Sequence, residues 1–431
     1  MRKMKKHVLI LFILLAPVPL FSQRFITLKE CYDKAFSSNA LVNEKKAYSD
    51  IWQLKTSNIS KGWLPTLDAN ASFIYNSDVI DMRSNFSAIP ALASAIKPLP
   101  HEQYKITLDI NQVLYDGGAI KGAKAIEKAD LSVNEQQTEV DLYKIRAQVN
   151  NCYFTLLLLA RQKELLNAYL ELIDKKLKSM QSAMNNGVII KSDIDVLTSE
   201  KIRIEQQLSE NEIKKTSLIS ILSDLTGLTI DPQTEFIMPQ SGNELSYEIS
   251  RPELKVFDLR NEQLNAGLNV IQSKRMPKAF GFATLGYGNP PGSNFFKDEF
   301  APYYILGAGV KWNIFDWNKV KNEKQQIKIQ QEIVENRKTD MTDNLKRMLQ
   351  SKNSEITSLQ SLIEKDSELI AIRKRITASA ESQYENGTIT ATDYLNELNS
   401  ERQSLINYEI HKINLSMARI EFLNISGKEI E

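Results

Sequence analysis

Chemistry-bearing residues are scarce in this chain. It has three histidines and two cysteines among 431 residues. His7 falls in the N-terminal segment, His101 in a loop and His411 in a helical stretch. None has Cys or His companions at metal-ligand spacing. No glycine-rich phosphate loop or serine-nucleophile motif occurs. An enzyme is not indicated, and no cofactor or metal is expected. Charge of one sign is also missing: 54 Lys+Arg stand against 53 Asp+Glu, which gives no argument for a nucleic-acid partner. Past the N-terminus no stretch reaches about 18 apolar residues, so no membrane-spanning helix is expected. One route into a bilayer stays open, a closed barrel of strands. Glycine and proline, 16 and 13, are few and clustered. The intervals between clusters are too long for compact globular helices.

Residues 1–22 have the form of a signal peptide. Arg2, Lys3, Lys5 and Lys6 precede the apolar run Val8 to Ala16, and Pro17, Pro19 and Ser22 follow, placing cleavage before Gln23. Leu28-Lys29-Glu30-Cys31 lacks the small residues of a lipid-attachment site. Cys31 and Cys152 lie in apolar helical patterns and are expected as small packed side chains.

The chain repeats itself at an offset of 200 residues. Leu114-Tyr115-Asp116 recurs as Ile314-Phe315-Asp316, and Asn186-Gly187 as Asn386-Gly387. Ser192-Asp193 recurs as Thr392-Asp393, and Leu225-Thr226-Gly227 as Ile425-Ser426-Gly427. The first repeat spans 23–227: a helix, a strand hairpin over 64–114, a long helix, a tip turn near 187 and a return helix. A linker, 228–249, joins it to the second repeat, 250–431, with its hairpin over 278–315 and tip near 387.

Both hairpins carry strand period. Leu67, Ala69, Ala71, Phe73 and Tyr75 share one face; Asp68, Asn70, Ser72 and Asn76 share the other. Tyr104, Ile106, Leu108 and Ile110 alternate with Lys105, Thr107, Asp109 and Asn111. In the second copy Ala279, Ala283, Leu285 and Tyr287 form an apolar face that Phe280 and Phe282 interrupt. Tyr304, Leu306, Ala308, Val310 and Trp312 form the other apolar face. Proline-free stretches from about Gly118 to Met184 and Trp317 to Glu385 each predict a helix on the order of 100 Å. Val320, Ile327, Val334 and Met341 recur at the coiled-coil interval. The first return helix carries a seam through Ile194, Leu197, Ile204 and Leu208; the last carries two, one through Leu398, Leu405 and Tyr408 and another through Leu395, Ile406 and Ile413.

Four strands cannot close a barrel, which needs at least about eight. Open edges cannot stay unsatisfied in lipid, so several chains must each supply four strands; three would supply twelve. Phe73, Tyr75, Tyr104, Ile106, Leu108, Tyr304, Leu306, Val310 and Trp312 are the expected lipid face, with aromatics near strand ends.

These residues resemble the TolC-like outer-membrane efflux proteins over nearly the whole chain. The resemblance rests on Leu28-Lys29-Glu30-Cys31-Tyr32-Asp33-Lys34-Ala35, on Leu64-Pro65, on Leu114-Tyr115-Asp116-Gly117-Gly118 and, most of all, on the segment Tyr384 to Leu395. It implies an α+β membrane protein: a homotrimeric twelve-stranded β-barrel in the outer membrane, continuing into a long periplasmic α-helical barrel with coiled-coil tips. It implies the exit duct of a tripartite efflux or type I secretion system. The partners would be a periplasmic adaptor (membrane fusion) protein and an inner-membrane pump of RND or ABC type. The rival reading is a periplasmic coiled-coil adaptor or scaffold, which would not need lipid-facing strands in duplicate.

At the tips, Gly187 and Gly387 permit the positive φ of a helix reversal. Ser192 or Asp193, and Thr392 or Asp393, are expected to cap the return helices. By resemblance, Tyr384 and Asp393 match family gate positions, while Ile389 and Asn396 replace a tip arginine and a second aspartate. With Asp193 these form the expected periplasmic gate. Losing two charged positions predicts closure by hydrogen bonds and packing, less sensitive to ionic strength than a salt-bridged gate. Gly187, Val188, Gly387 and Thr388 are the expected adaptor-docking residues.

Overall fold

The computed structural model describes residues 25–81, 83–86, 88–95, 98–185, 189–240, 245–294 and 297–429. The expected signal peptide and the tip residues Gly187 and Val188 lie outside the described residues. The elements in order are β1 (Phe25–Ile26), α1 (Leu28–Ser38), α2 (Val42–Ser60), β2 (Thr66–Tyr75), α3 (Pro90–Ala95), β3 (Glu102–Tyr115), α4 (Ala119–Asn185) and α5 (Lys191–Thr226). They continue with β4 (Glu235–Phe236), α6 (Pro252–Ser273), β5 (Lys278–Asn289), β6 (Ala301–Lys311), α7 (Lys319–Glu385) and α8 (Ala391–Ser426).

The duplication is geometric as well as sequential. Helices α4 and α7 have 67 residues each, and α5 and α8 have 36 each. At 1.5 Å per residue each long helix runs about 100 Å. Their starts share one device. Asp116 accepts hydrogen bonds from the N–H groups of Gly118 and Ile120, at 2.8 and 2.5 Å. Asp316 accepts one from Val320 at 3.0 Å. Each return helix ends on a left-handed glycine, Gly227 or Gly427.

Strands β2, β3, β5 and β6 form one antiparallel sheet in that order, so the two hairpins lie side by side. The helices repeat the order: α2 packs on α4, α4 on α6 and α6 on α7. Sheet and helical layer therefore end on the same two open edges, β2 with α2 and β6 with α7. Below this layer α4 pairs with α5 and α7 with α8, and α8 also packs on α4.

Three cores hold the helices. The largest joins α1, α4, α5, α8 and the short β1–β4 pair around Ile26, Tyr153, Leu156, Leu222 and Ile420. The Tyr153 hydroxyl donates towards the carbonyls of both Ile26 and Ile237, at 2.8 and 2.7 Å. Cys31 and Cys152 are buried there as free thiols, and burial pushes the Cys31 thiol up to about 12. Of the predicted seam residues, Leu197, Ile204, Leu395, Leu398 and Ile413 are buried, while Ile194, Leu208, Leu405, Ile406 and Tyr408 are half-buried. The repeats also meet at Tyr143, which lies between the guanidinium groups of Arg146 and Arg251, each 4.5 Å from its ring.

Candidate functional site

The sheet has two chemically different faces. Phe73, Tyr75, Tyr104, Ile106, Leu108, Tyr304, Leu306 and Val310 all point to one side and are exposed, as is Trp312 just past β6. Leu306 and Val310 are 71% and 72% exposed, which a protein surface bathed in water rarely tolerates over a whole face. Aromatic contacts mark both ends of that face. Phe73 and Tyr104 lie 5.0 Å apart near the connecting loops, and Phe315 and Trp317 lie 4.8 Å apart at the helical end. Two aromatic levels flanking an apolar band match a barrel's interfacial girdles.

The opposite face is organised around Asp109. Its carboxylate accepts from Thr284 at 2.6 Å, Asn70 at 2.8 Å and Thr107 at 3.0 Å, donors from β5, β2 and β3. Phe280 and Phe282, which break the alternation, have a structural cause. Each ring crosses a glycine on β6. A Cβ on Gly309 would stand 2.7 Å from Phe280 Cζ, and one on Gly307 would stand 2.3 Å from Phe282 Cζ. Tyr303 crosses Gly286 in the same way, at 2.2 Å. An aromatic ring over a glycine fills the space the missing side chain leaves and pins the register.

At the far end of the helices, a second core joins all four tip helices through Tyr169, Ile173, Leu197, Ala391 and Tyr394. Tyr384 stacks on Tyr394, with centroids 5.6 Å apart and planes 10° from parallel. Burial pushes the Tyr384 hydroxyl up, and the nearby Asp193 carboxylate adds to the shift. That hydroxyl is buried without a partner among the described residues. Tyr384 and Asp193 are thus brought together, whereas Asp393 and Asn396 stay exposed on α8.

Asp393 works within its own helix. The Thr390 hydroxyl accepts from the Asp393 N–H at 3.2 Å, and the Asp393 carboxylate accepts from the Thr390 N–H at 3.1 Å and its hydroxyl at 2.7 Å. These donors hold the Asp393 carboxyl below its ordinary value. The cap of α8 is therefore Thr390, with Asp393 completing the box, and not Thr392. The spacing Thr390-x-x-Asp393 carries this signal in the sequence. In α5 the equivalent of Thr390 is Ile190, so neither Ser192 nor Asp193 forms a side-chain cap.

The tip helices nevertheless carry ion pairs of their own. Lys176 of α4 reaches across the repeats to Glu381 at 2.5 Å and Glu385 at 2.9 Å, with its ammonium 5.7 Å from the Tyr394 ring. Further up, Arg402 of α8 and Glu200 of α5 form a buried ion pair at 3.2 Å, each side chain under a tenth exposed. Arg203 also holds Glu200, at 2.7 Å. Burial pulls the Arg402 guanidinium down, and Glu200 opposes that shift. The Lys176–Glu381 and Glu200–Arg402 links join partners more than 200 positions apart in sequence, where no local pattern reveals them.

Gly387 adopts φ +70 at the second tip, and the Thr388 hydroxyl donates to the Gln383 carbonyl at 2.8 Å. His101 bonds to the Asn76 carbonyl, and His411 pairs with Asp366 within the α7–α8 coiled coil.

The family model "Outer membrane efflux protein" matches residues 34–211 and 247–413. The chain belongs to the outer membrane efflux protein family. Solved structures agree on the fold. CusC, described as forming a transmembrane channel, is 12% identical with a TM-score of 0.70, covering 93% of this chain and 92% of that one. The outer membrane protein VceC of Vibrio cholerae is 14% identical with a TM-score of 0.66, covering 94% and 97%. The open-state MtrE outer membrane channel of Neisseria gonorrhoeae is 14% identical with a TM-score of 0.63, covering 94% and 89%. No curated protein sequence matches the chain. Family membership decides for an outer-membrane channel that extends into the periplasm, and against an adaptor or scaffold. Members are homotrimers that work within tripartite efflux systems, and the family is one of channels. A single chain supplies four strands of a twelve-stranded barrel.

Proposed function

We propose that three copies join β6 to β2 and α7 to α2 around a threefold axis, making one continuous duct from the periplasm to the cell exterior. The reading rests on one observation above others: sheet and helical layer of one chain expose the same two edges in the same order. A backbone edge left unpaired in lipid costs several kcal/mol per group, so closure by further copies is compelled. Repeat 23–227 supplies one half of each protomer's wall and repeat 250–431 the other, with 228–249 as the equatorial joint.

The helical tip is the periplasmic gate. Tyr384 and Asp193 sit where α7 meets the first repeat, and Asp393 and Asn396 project from α8. A periplasmic adaptor docks its helical hairpin at Gly187, Val188, Gly387 and Thr388, where small side chains leave room. An inner-membrane pump of RND or ABC type loads the duct, which serves efflux or type I secretion according to the pump. The pump selects the cargo.

The test is direct. The purified protein should have the mass of three chains in detergent and pass single-channel ionic current across a planar lipid bilayer. A detergent-soluble monomer that passes no current would refute the proposal.

A further inference from the structure

The inner face of the sheet is divided. Its β2–β3 half is polar, carrying Asp68, Asn70, Ser72, Lys105, Thr107 and Asp109. Its β5–β6 half is aromatic and bare: Phe280, Phe282 and Tyr303 lie across Gly309, Gly307 and Gly286. The rings do more than shield glycine backbone. Phe280 and Phe282 each remain 37% exposed, and their centroids are 6.4 Å apart. Ile305, on the same face, is 40% exposed. A wall needed only to carry water and salt would not keep such a surface wet.

Charge on this face is layered. Asp68 stands directly opposite Asp109, and Asp109 opposite Thr284, which lies two residues beyond Phe282. The basic groups of the face lie elsewhere. Lys105 is paired with Ser72 and Gly288 nearer the loops, and Lys278 faces Lys311 at the helical end. Two carboxylates therefore share a level with the aromatic strip, between two basic levels. Like charges placed directly opposite each other destabilise a sheet, so this pair costs stability that a purely structural wall would avoid. The three hydrogen bonds on Asp109 fix its carboxylate at that level.

We propose that the barrel lumen binds organic cations with an aromatic or apolar body: the rings of Phe280, Phe282 and Tyr303 take the body, and Asp109 and Asp68 take the charge. The inference rests on the closed barrel argued above. With three chains, aromatic and polar strips alternate three times around the bore. A cation over a ring face gains from the ring quadrupole, and the nearby carboxylates add Coulomb attraction. Cargo of this class would be guided past the membrane level while inorganic ions pass freely.

The probe is tetraphenylphosphonium, with tetraethylammonium as a cation of the same charge but no rings. Wild-type trimers are first checked for potassium chloride conductance, which tests the closed barrel by itself. Tetraphenylphosphonium should then block the current in a concentration-dependent way, and tetraethylammonium should block far less. Replacing both phenylalanines (F280L with F282L) should raise the half-blocking concentration about tenfold, the size of one or two ring contacts. Asp109→Asn should raise it too, while leaving the trimer intact. Phe280→Leu alone serves if the double variant fails to assemble, and Phe282→Tyr should preserve block. Conducting trimers that tetraphenylphosphonium does not block would overturn the inference, as would equal block of wild type and the leucine variants.

Discussion

Position by position, the two repeats solve one problem with different residues. The chain must enter α4 and α7 through two consecutive left-handed positions. In the first repeat these are Gly117 and Gly118, with φ +70 and +89; in the second they are Trp317 and Asn318, with φ 52 and 62. A tryptophan there is strained, and its ring is 84% exposed in one chain, on the open edge. The comparison yields a discriminating expectation. Gly118→Asn reproduces what the second repeat already holds, and nothing lies within 4 Å of a Cβ there, so thermal stability should change little. Gly117→Ala places its Cβ 2.6 Å from Met276 Cβ and should cost 1–3 kcal/mol, on the order of an overpacked site, read as a lower dissociation temperature of the trimer. Equal behaviour of the two variants would contradict this account. Asp116 and Asp316 were visible as a repeated motif, but their work, holding the first turn of a helix of 67 residues, is seen only in the hydrogen bonds.

Among elements, the helices were the most legible part and their cross-links the least. A proline-free stretch with apolar seams specifies a long coiled coil with little ambiguity, because the 3.6-residue period places one stripe on one side. Which helix meets which is a matter of three-dimensional arrangement. Glu200 and Arg402 are 202 positions apart in the numbering, and nothing local marks either as buried. Arg402→Met leaves Glu200 with Arg203 as its remaining cationic partner and should cost somewhat less than the about 3–5 kcal/mol of a fully unpaired buried charge. Arg402→Met combined with Glu200→Met should recover most of that loss, since a packed apolar pair serves as well as a buried ion pair. Chemical denaturation of the detergent-solubilised protein reads both. A double variant no better than the single one would show that the charges act independently.

For the whole molecule, three copies multiply every weak link. Lys176 holds Glu381 and Glu385, whose side chains are 40% and 62% exposed, so salt screens both pairs. At about 0.5 kcal/mol per partly exposed pair, two pairs in each of three copies shift a closed-to-open ratio about a hundredfold. Single-channel recordings should therefore show open probability rising with salt beyond what bulk conductivity explains. Lys176→Met should raise it at low salt and remove the salt dependence. A salt response unchanged in that variant would place the closing contacts elsewhere.

The sequence by itself determined the duplication, the length of the helices, the alternation of the strands and the apolar side of the sheet, because these follow from periods of 2 and 3.6 along one segment. Tertiary structure alone decided the edge-to-edge order β2–β3–β5–β6, the rings of Phe280 and Phe282 lying over Gly309 and Gly307, and the partners of Lys176 and Arg402. Those depend on which distant segments share a neighbourhood, and a linear pattern carries no coordinate for that.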